Sequence, residues 1–580
     1  MIRILIGHRG TGKTALLRRL LTYFPSAQCL DLDLEIETKF GMKISEIFEK
    51  KGETEFRVLE NKYFQEILNN NKYSNADIWI ALGAGFDMNA LPADGAEVVW
   101  VRRRTDPLGR VFFGRPRLNS KLSPLGEYQE RFPVREANYK KHYHWIYDLP
   151  EGILAPSVAE KIIFQNRISE PSAAVTVSNL DSGNLQRVAK WNLRYFEFRD
   201  DGHSEKENSV RWEKFKTALP KEKQMFSFRD VPSQLLHFQN ELPGIWDWPL
   251  ELGESGKKSP ILSLHERLPG ESFQHTASRL EVSAKPGQHL KLAIYIDSFL
   301  ELGQALQWQA ANPEGRSFLP RSPDGRWAWV RLWLKGRQKI NFIREGLGSA
   351  EDQPTWWEWI SSPEKPVAFG AVLGAPIFHS WSPVFHNSFF AQREMPFFPI
   401  HVAEDEWDEA MPVLEKMGLI AAAVTSPLKK LAGGNTLWKE KGHWQVGNTD
   451  LEGLSLIAAL IPIQHHQSVA VWGGGGTLPI IQQVFPQAIL YAQRTGELRN
   501  SNQVAKADYN ILVWAATPEA EPPSLGFHPK YVLDLNYRED SRAREFALQV
   551  GAQYLSGEKM FETQALAQQR LWLKIGKEDI

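Results

Sequence analysis

Near the start of the chain the octapeptide GHRGTGKT, residues 7–14, follows the apolar run IRILI and leads into TALLRRLLTYF, whose apolar residues recur at helical spacing. Gly7, Gly12, Lys13 and Thr14 satisfy the spacing G-x-x-x-x-G-K-[ST], and Gly10 adds a further glycine to the turn. Between a strand and a helix, such a turn aims successive backbone N–H groups and a helix N-terminus at one point, which suits a phosphate. It needs a strand ending inside a sheet and a helix returning over that sheet. The runs RILIG, IWIALG and AEVVWVR supply strands, so a parallel sheet covered by helices is expected here.

One such layer cannot account for 580 residues. Single cores stop growing near ~250–300 residues, so about two to four domains are expected. Polar stretches carrying Ser and Pro, QNRISEPSAA (165–174) and ISSPEKPVA (360–368), read as linkers and divide the chain into 1–165, 172–362 and 366–580. A second glycine-rich turn after an apolar run, VAVWGGGGTLP from Val469, suggests a second nucleotide site. With 42% hydrophobic and 24% charged residues the composition is that of a globular protein, and no apolar run reaches the ~18 residues of a membrane span. Lys plus Arg number 68 against 69 Asp plus Glu, which leaves no whole-chain footprint for nucleic acid. Cys29 is the single cysteine, and the N-terminus lacks the charged and apolar regions of a secretory leader. A cytoplasmic enzyme acting on small molecules, with no nucleic-acid or membrane partner, is expected; a homodimer is compatible with the sequence.

In the first part, DLDLEIETKFGMKISEIFEKKGETEFRVLE (31–60), ALGAGF (81–86), RPRL (115–118) and ERFP (130–133) resemble shikimate kinase across the whole segment. Residue chemistry agrees with what that resemblance implies. Asp31 ends an apolar stretch where a carboxylate can support Mg2+ through Thr14, and Asp33 can hydrogen-bond a polyol acceptor and its attacking hydroxyl. Arg57 and Arg131 would clamp the acceptor's carboxylate, because the planar guanidinium matches that anion bidentately. Gly83 and Gly85 would let the backbone approach the acceptor ring, while Arg115 and Lys13 would meet the phosphates of ATP. Ala84 replaces a glycine usual in the family, and Arg135 stands where a tyrosine is usual.

In the middle part Lys291 interrupts the apolar run of GQHLKLAIYID, where burial would lower its pKa and free a neutral amine to attack a carbonyl. FEFRDD (196–201), MFSFRD (225–230), PLELG (249–253) and ILSLHE (261–266) appear in the order found in type I 3-dehydroquinate dehydratases. The resemblance implies a (β/α)8-type barrel, shorter than usual, with Lys291 as Schiff-base lysine and Glu251 and His265 as acid–base residues. Glu197, Arg199, Arg229, Arg331 and Gln353 would hold the substrate, and no cofactor is required.

GAPIFHSWSPVFHN (374–387), VTSPLKK (424–430), GNTL (434–437) and GNTDLEG (447–453) resemble shikimate dehydrogenase. Ser380 and Ser382 would bind the substrate carboxylate, Lys429 and Asp450 form the catalytic pair, and Thr425, Asn435 and Gln564 contact the polyol. WGGGGT (472–477) then reads as a tight turn on a helix N-terminus, with Gly473, Gly475 and Gly476 in the loop. YAQRT (491–495) reads as a second strand ending in Arg494 and Thr495, which can meet a 2′-phosphate, so NADP(H) is expected. Two departures stand out: Ala423 replaces the family's asparagine, and the segment from Lys429 to Asn435 is short.

Together the resemblances imply an α/β chain made of a P-loop kinase domain, a barrel, and a two-lobed dehydrogenase with a Rossmann lobe. Its substrate lobe would span about 366–465 and its nucleotide lobe about 466–560, followed by C-terminal helices. The order resembles the C-terminal part of the fungal pentafunctional arom proteins. It implies dehydration of 3-dehydroquinate, NADPH reduction of 3-dehydroshikimate and ATP-dependent phosphorylation of shikimate. The alternatives are a metabolite-sensing regulator of quinate use built from the same three regions, or an enzyme with one region inactive.

Overall fold

A computed structural model describes residues 1–70, 77–103, 106, 124–149, 158–229, 245–253, 259–377, 380–499, 508–517, 520, 528–537 and 541–580. The described residues form two compact units that part between residues 366 and 367.

The first unit holds two sheets. Strands β1 (Ile2–Ile6), β2 (Gln28–Asp31), β3 (Ile78–Ala81), β4 (Ala96–Arg102) and β5 (Trp145–Asp148) form a parallel sheet in the order β2-β3-β1-β4-β5. Ile4, Leu5, Ile80, Val99 and Trp100 are buried, as expected of strands covered on both faces. The helix Lys13–Tyr23 turns Leu16, Leu17 and Leu20 into the core.

Eight parallel strands follow: β6 (Ser169–Thr176), β7 (Asn192–Arg199), β8 (Gln224–Ser227), β9 (Ile245–Pro249), β10 (Ile261–Leu264), β11 (His289–Leu292), β12 (Arg316–Phe318) and β13 (Asn341–Arg344). They pair in sequence from β6 to β12, and β13 pairs with β6, giving a nearly closed barrel with β12 and β13 at its ends. Eleven residues separate β9 from β10, and the described ones among them include a 3-10 turn, Leu250–Leu252. The expected linker at 165–174 is corrected by β6. Ser169 and Pro171 are exposed at the irregular start of that strand, but Ala173–Thr176 are buried between β7 and β13.

The second unit holds two further sheets. Strands β14 (Phe369–Gly374), β15 (Phe397–His401), β16 (Leu419–Val424), β17 (Thr436–Glu440) and β18 (His443–Gly447) have the order β15-β14-β16-β17-β18, the last two antiparallel. Strands β19 (Val469–Gly473), β20 (Ile489–Tyr491), β21 (Ile511–Ala515), β22 (Tyr531–Asp534) and β23 (Gln553–Leu555) are all parallel, in the order β20-β19-β21-β22-β23. No described helix is long and apolar enough to cross a membrane.

Candidate active sites

In open and closed parallel sheets alike, loops at the C-terminal ends of strands converge on a crevice, so that is where polar side chains can meet. After β1, Gly7 has φ 148° and its Cβ would fall 2.3 Å from the Val101 carbonyl oxygen, so the adjoining strand excludes any side chain. Gly10 and Gly12 also have positive φ, 77° and 93°. The helix beginning at Lys13 has no side-chain cap, which leaves its first N–H groups to an anion. Lys13 folds over the loop, its Nζ donating to Gly7 O at 2.8 Å and His8 O at 3.0 Å. Burial pulls its pKa down to about 8, against Asp33, Asp31 and Asp106, which favour the charged form. Thr14 Oγ1 donates to Asp31 Oδ2 at 2.5 Å, and the same carboxylate accepts the Asp33 N–H. These are the hard oxygen donors that suit Mg2+ together with nucleotide phosphates.

Beyond β3 the glycines touch charged groups. A Cβ on Gly83 would lie 3.2 Å from Asp33 Oδ1, and one on Gly85 would lie 2.3 Å from Arg57 Nη2. Arg57 pairs with Glu60 at 2.6 Å and Glu53 at 3.4 Å; Arg131 reaches Glu53 at 3.6 Å and Glu127 at 3.9 Å. Glu60 is fully buried, and burial lifts its carboxyl to about 7 despite Arg57. Arg115 lies outside the described residues.

The barrel encloses a cavity of about 280 Å³ lined by residues that include Glu197, Arg199, Arg229, Glu251, His265, Lys291 and Arg331. β11 aims Lys291 inward, where its Nζ meets Asp247 Oδ2 at 2.5 Å, Glu197 Oε1 at 3.9 Å and the Phe342 ring at 3.9 Å. Burial lowers this amine to about 8; Asp247 foremost, then Glu197, resists the fall while Arg229 adds to it. Asp247 is buried, which by itself would raise its pKa, yet Lys291 and Arg229 hold it well below the usual carboxylate range. His265 is driven to about 4 by burial and by the charge of Arg229, so its imidazole is neutral at pH 7. Glu251 Oε1 accepts the backbone N–H of His265 at 2.6 Å and of Glu266 at 2.8 Å, with Oε2 3.9 Å from His265 Nδ1. Burial opposes ionisation of Glu251, but the His265 imidazole and then the His265 N–H hold its carboxyl at about 2. It is therefore an anionic brace for the histidine.

Glu197 accepts from Ser227 Oγ at 2.6 Å and from Thr176 Oγ1. Arg199 pairs with Asp201, and Arg331 donates to Pro320 O. Gln353 departs from its expected place: its Nε2 is spent on Thr176 Oγ1 and Ile343 O, and its Oε1 on Ser349. It does not line the cavity, whereas Ser349 and Arg321 do. Asp247 is the residue that sequence reasoning missed, and its signal was an acid inside the apolar run IWDWP.

In the second unit Lys429 Nζ and Asp450 Oδ2 are 2.5 Å apart, and Asn435 Nδ2 donates to Asp450 Oδ1 at 2.8 Å and to Thr449 Oγ1 at 3.0 Å. The short segment is a four-residue helical turn, Lys429–Ala432, and two glycines then deliver Asn435 directly to β17. Ser382 opens the helix Ser382–Ala391 after β14, its N–H donating to Ser380 Oγ at 3.2 Å, and Thr425 follows β16. Gln564 is partly buried on the helix Glu558–Trp572, from which Gln568 donates to Asn435 O at 3.1 Å. Ala423 is buried in β16.

Gly473, at the end of β19, has φ 93° and a Cβ there would lie 2.8 Å from Ala515 O. By contrast, a Cβ on Gly475 or Gly476 would meet no atom within 4 Å. Neither packing nor a positive φ requires glycine at those two positions. Open space above a helix N-terminus is what the approach of a pyrophosphate needs. β20 ends at Tyr491, earlier than expected, and Arg494 and Thr495 are exposed in the turn after it.

Sheets of this kind, with polar side chains gathered in the barrel and around the loops after the strands, place the chain in the class of multidomain α/β proteins. Shikimate kinase matches residues 9–151, and the shikimate dehydrogenase substrate binding domain matches residues 372–433. Shikimate kinase of Nitrosospira multiformis is 30% identical over 173 residues, covering 28% of this chain and 85% of that protein. Through its first part the chain thus belongs to the shikimate kinase family, and residues 372–433 are similar to the substrate binding domain of shikimate dehydrogenase. The NADP(+) shikimate dehydrogenase of Trichormus variabilis is 28% identical over 129 residues, covering 18% of this chain. The chain spans 57% of the length of a matching Sulfurihydrogenibium shikimate kinase and 43% of the Trichormus dehydrogenase. Among solved structures, the dehydroquinate dehydratase and shikimate dehydrogenase from S. pombe AroM covers 71% of this chain and 97% of its own, at 15% identity and TM-score 0.26.

Proposed function

We propose that the chain carries three catalytic regions, at about 1–165, 172–362 and 366–580. They would phosphorylate shikimate, dehydrate 3-dehydroquinate and reduce 3-dehydroshikimate. The observation that carries this reading is the barrel cavity, where a buried amine at about 8, a neutral imidazole and fixed carboxylates meet. A site of that make-up between the kinase and dehydrogenase regions fits the chemical step that supplies the dehydrogenase.

In the barrel the neutral amine of Lys291 adds to the ketone, and loss of water gives an iminium that withdraws electrons from the neighbouring C–H bond. His265, neutral and braced by Glu251, accepts that proton and returns one to the departing hydroxyl, which leaves as water. Hydrolysis of the iminium restores the amine. Asp247 stabilises the cationic stages of this nitrogen, and Arg199, Arg229 and Arg331 surround the anionic substrate.

ATP and NADPH, when bound, supply the phosphoryl group and the hydride. In the first region Lys13 and the N–H groups after Gly12 would hold phosphates, with Thr14 and Asp31 as Mg2+ donors. Asp33 would accept the proton of the acceptor hydroxyl, while Arg57 and Arg131 fix its carboxylate. In the third region Lys429 would give a proton to the carbonyl oxygen, with Asp450 and Asn435 orienting it. Gly473 to Gly476 would admit the dinucleotide, and Arg494 and Thr495 its 2′-phosphate.

Three assays on the full chain test the proposal: ADP release with shikimate, NADPH oxidation with 3-dehydroshikimate, and dehydration of 3-dehydroquinate. Borohydride reduction during the last should leave a covalent adduct on Lys291. No adduct on wild type under turnover would overturn the imine route, and silence in any one assay would remove that region from the proposal.

A further inference from the structure

Resting on the kinase reading, we infer that Arg135 is a third guanidinium of the acceptor clamp and makes the first region demand an anionic acceptor. Arg131 and Arg135 sit one helical turn apart on Pro124–His142, so they share a face. The point where a Cβ on Gly85 would fall is 2.3 Å from Arg57 Nη2 and 3.4 Å from Arg135 Nη2, which makes the two guanidinium groups neighbours over the glycine backbone.

Their partners differ. Arg57 has Glu60 and Glu53, and Arg131 has Glu53 and Glu127. Arg135 has no hydrogen bond or ion pair among the described residues, although it is partly buried. A cation in that position, with two like charges beside it, is unfavourable until an anion arrives. Its surroundings express the same tension: burial foremost, joined by Arg131 and Arg57, lowers its pKa, against the opposing pull of Tyr139 and Glu53. Guanidinium forks match carboxylates bidentately, so a ligand carboxylate over Gly85 would satisfy Arg135 without taking Arg57 from Glu60. The ligand class is a small carboxylate-bearing polyol, and Arg135 acts on its affinity.

The test is direct binding to the full chain with ADP present, by titration calorimetry. The probes are shikimate and its uncharged methyl ester, and the proteins are wild type, Arg135→Gln and Arg135→Lys. Arg135→Gln is expected to weaken shikimate by roughly tenfold or more, as for loss of a charge-assisted bidentate contact, and to leave the ester within about twofold. Unchanged shikimate affinity in Arg135→Gln would overturn the inference. So would an equal loss for both probes, which marks a structural role. If the Gln variant does not fold, Arg135→Lys decides: a reduced preference for shikimate over the ester supports the fork, and wild-type affinity refutes it. Wild type that binds shikimate but releases no ADP would sink the kinase reading while leaving Arg135 its role. Wild type that binds no shikimate would overturn Arg135's role.

Discussion

Replacing Asp247 by asparagine should shift the working pH of Lys291 downward. The two charges lie 2.5 Å apart, and Arg229 shares the same carboxylate oxygen at 2.8 Å. At an effective dielectric of about 20, unit charges at such a distance attract by roughly 6–7 kcal/mol, part of it offset by the cost of burying the carboxylate. Burial holds the amine at about 8, and Asp247 is foremost among the groups that keep it from falling further. Losing even a quarter of that attraction lowers the amine by about one unit, since a unit corresponds to about 1.4 kcal/mol. At pH 7 the neutral fraction would then rise from about a tenth in wild type to about half or more in the variant. Stability follows the same titration. The folded pKa lies below the unfolded 10.5, so the burden of the buried ammonium is complete below pH 8 and relieved as the pH rises from 8 to 10.5. The assay is borohydride trapping with 3-dehydroquinate across pH 5–10, with the adduct on the Lys291 peptide quantified by mass spectrometry. Wild type should show a midpoint near 8, Asp247→Asn one at least about a unit lower, and Lys291→Ala no adduct. A midpoint that stays or climbs in Asp247→Asn would refute the electrostatic account.

Gly475→Ala should leave the thermal midpoint unchanged, because its Cβ meets nothing within 4 Å, yet raise the KM for NADPH by about tenfold; an unchanged KM would mean the open space is not a cofactor approach. Lys429→Ala should lower kcat for NADPH oxidation by about 10²–10⁴-fold, since it removes the proton donor paired with Asp450, and steady-state rates with 3-dehydroshikimate measure this. Lys13→Met should abolish ADP release with shikimate while dehydration and NADPH oxidation continue. Loss of all three together in that variant would show that the regions are not chemically independent.

Local sequence carried the parts of this protein whose chemistry is contiguous. The loop at 7–14 is legible because a phosphate cradle is built from successive backbone N–H groups, and the lysine at 291 because an apolar strand surrounds it in the chain itself. The pairing of Lys429 with Asp450 was legible through the motifs that carry them. Long-range contacts were not. Asp247 lies 44 residues from Lys291 and two strands away across β10, so only barrel register makes them partners. β6 was hidden because its exposed start carries the Ser and Pro that ordinarily mark linkers, and only burial against β7 and β13 makes the rest a strand. Gln353 looked available to a substrate, but folding gives its amide to Thr176, Ile343 and Ser349. The sequence by itself determined which reactive groups exist and the backbone turns that present them. Tertiary structure decided which charges share a cavity and what each pKa becomes, because burial and pairing are properties of the surroundings and not of the residue.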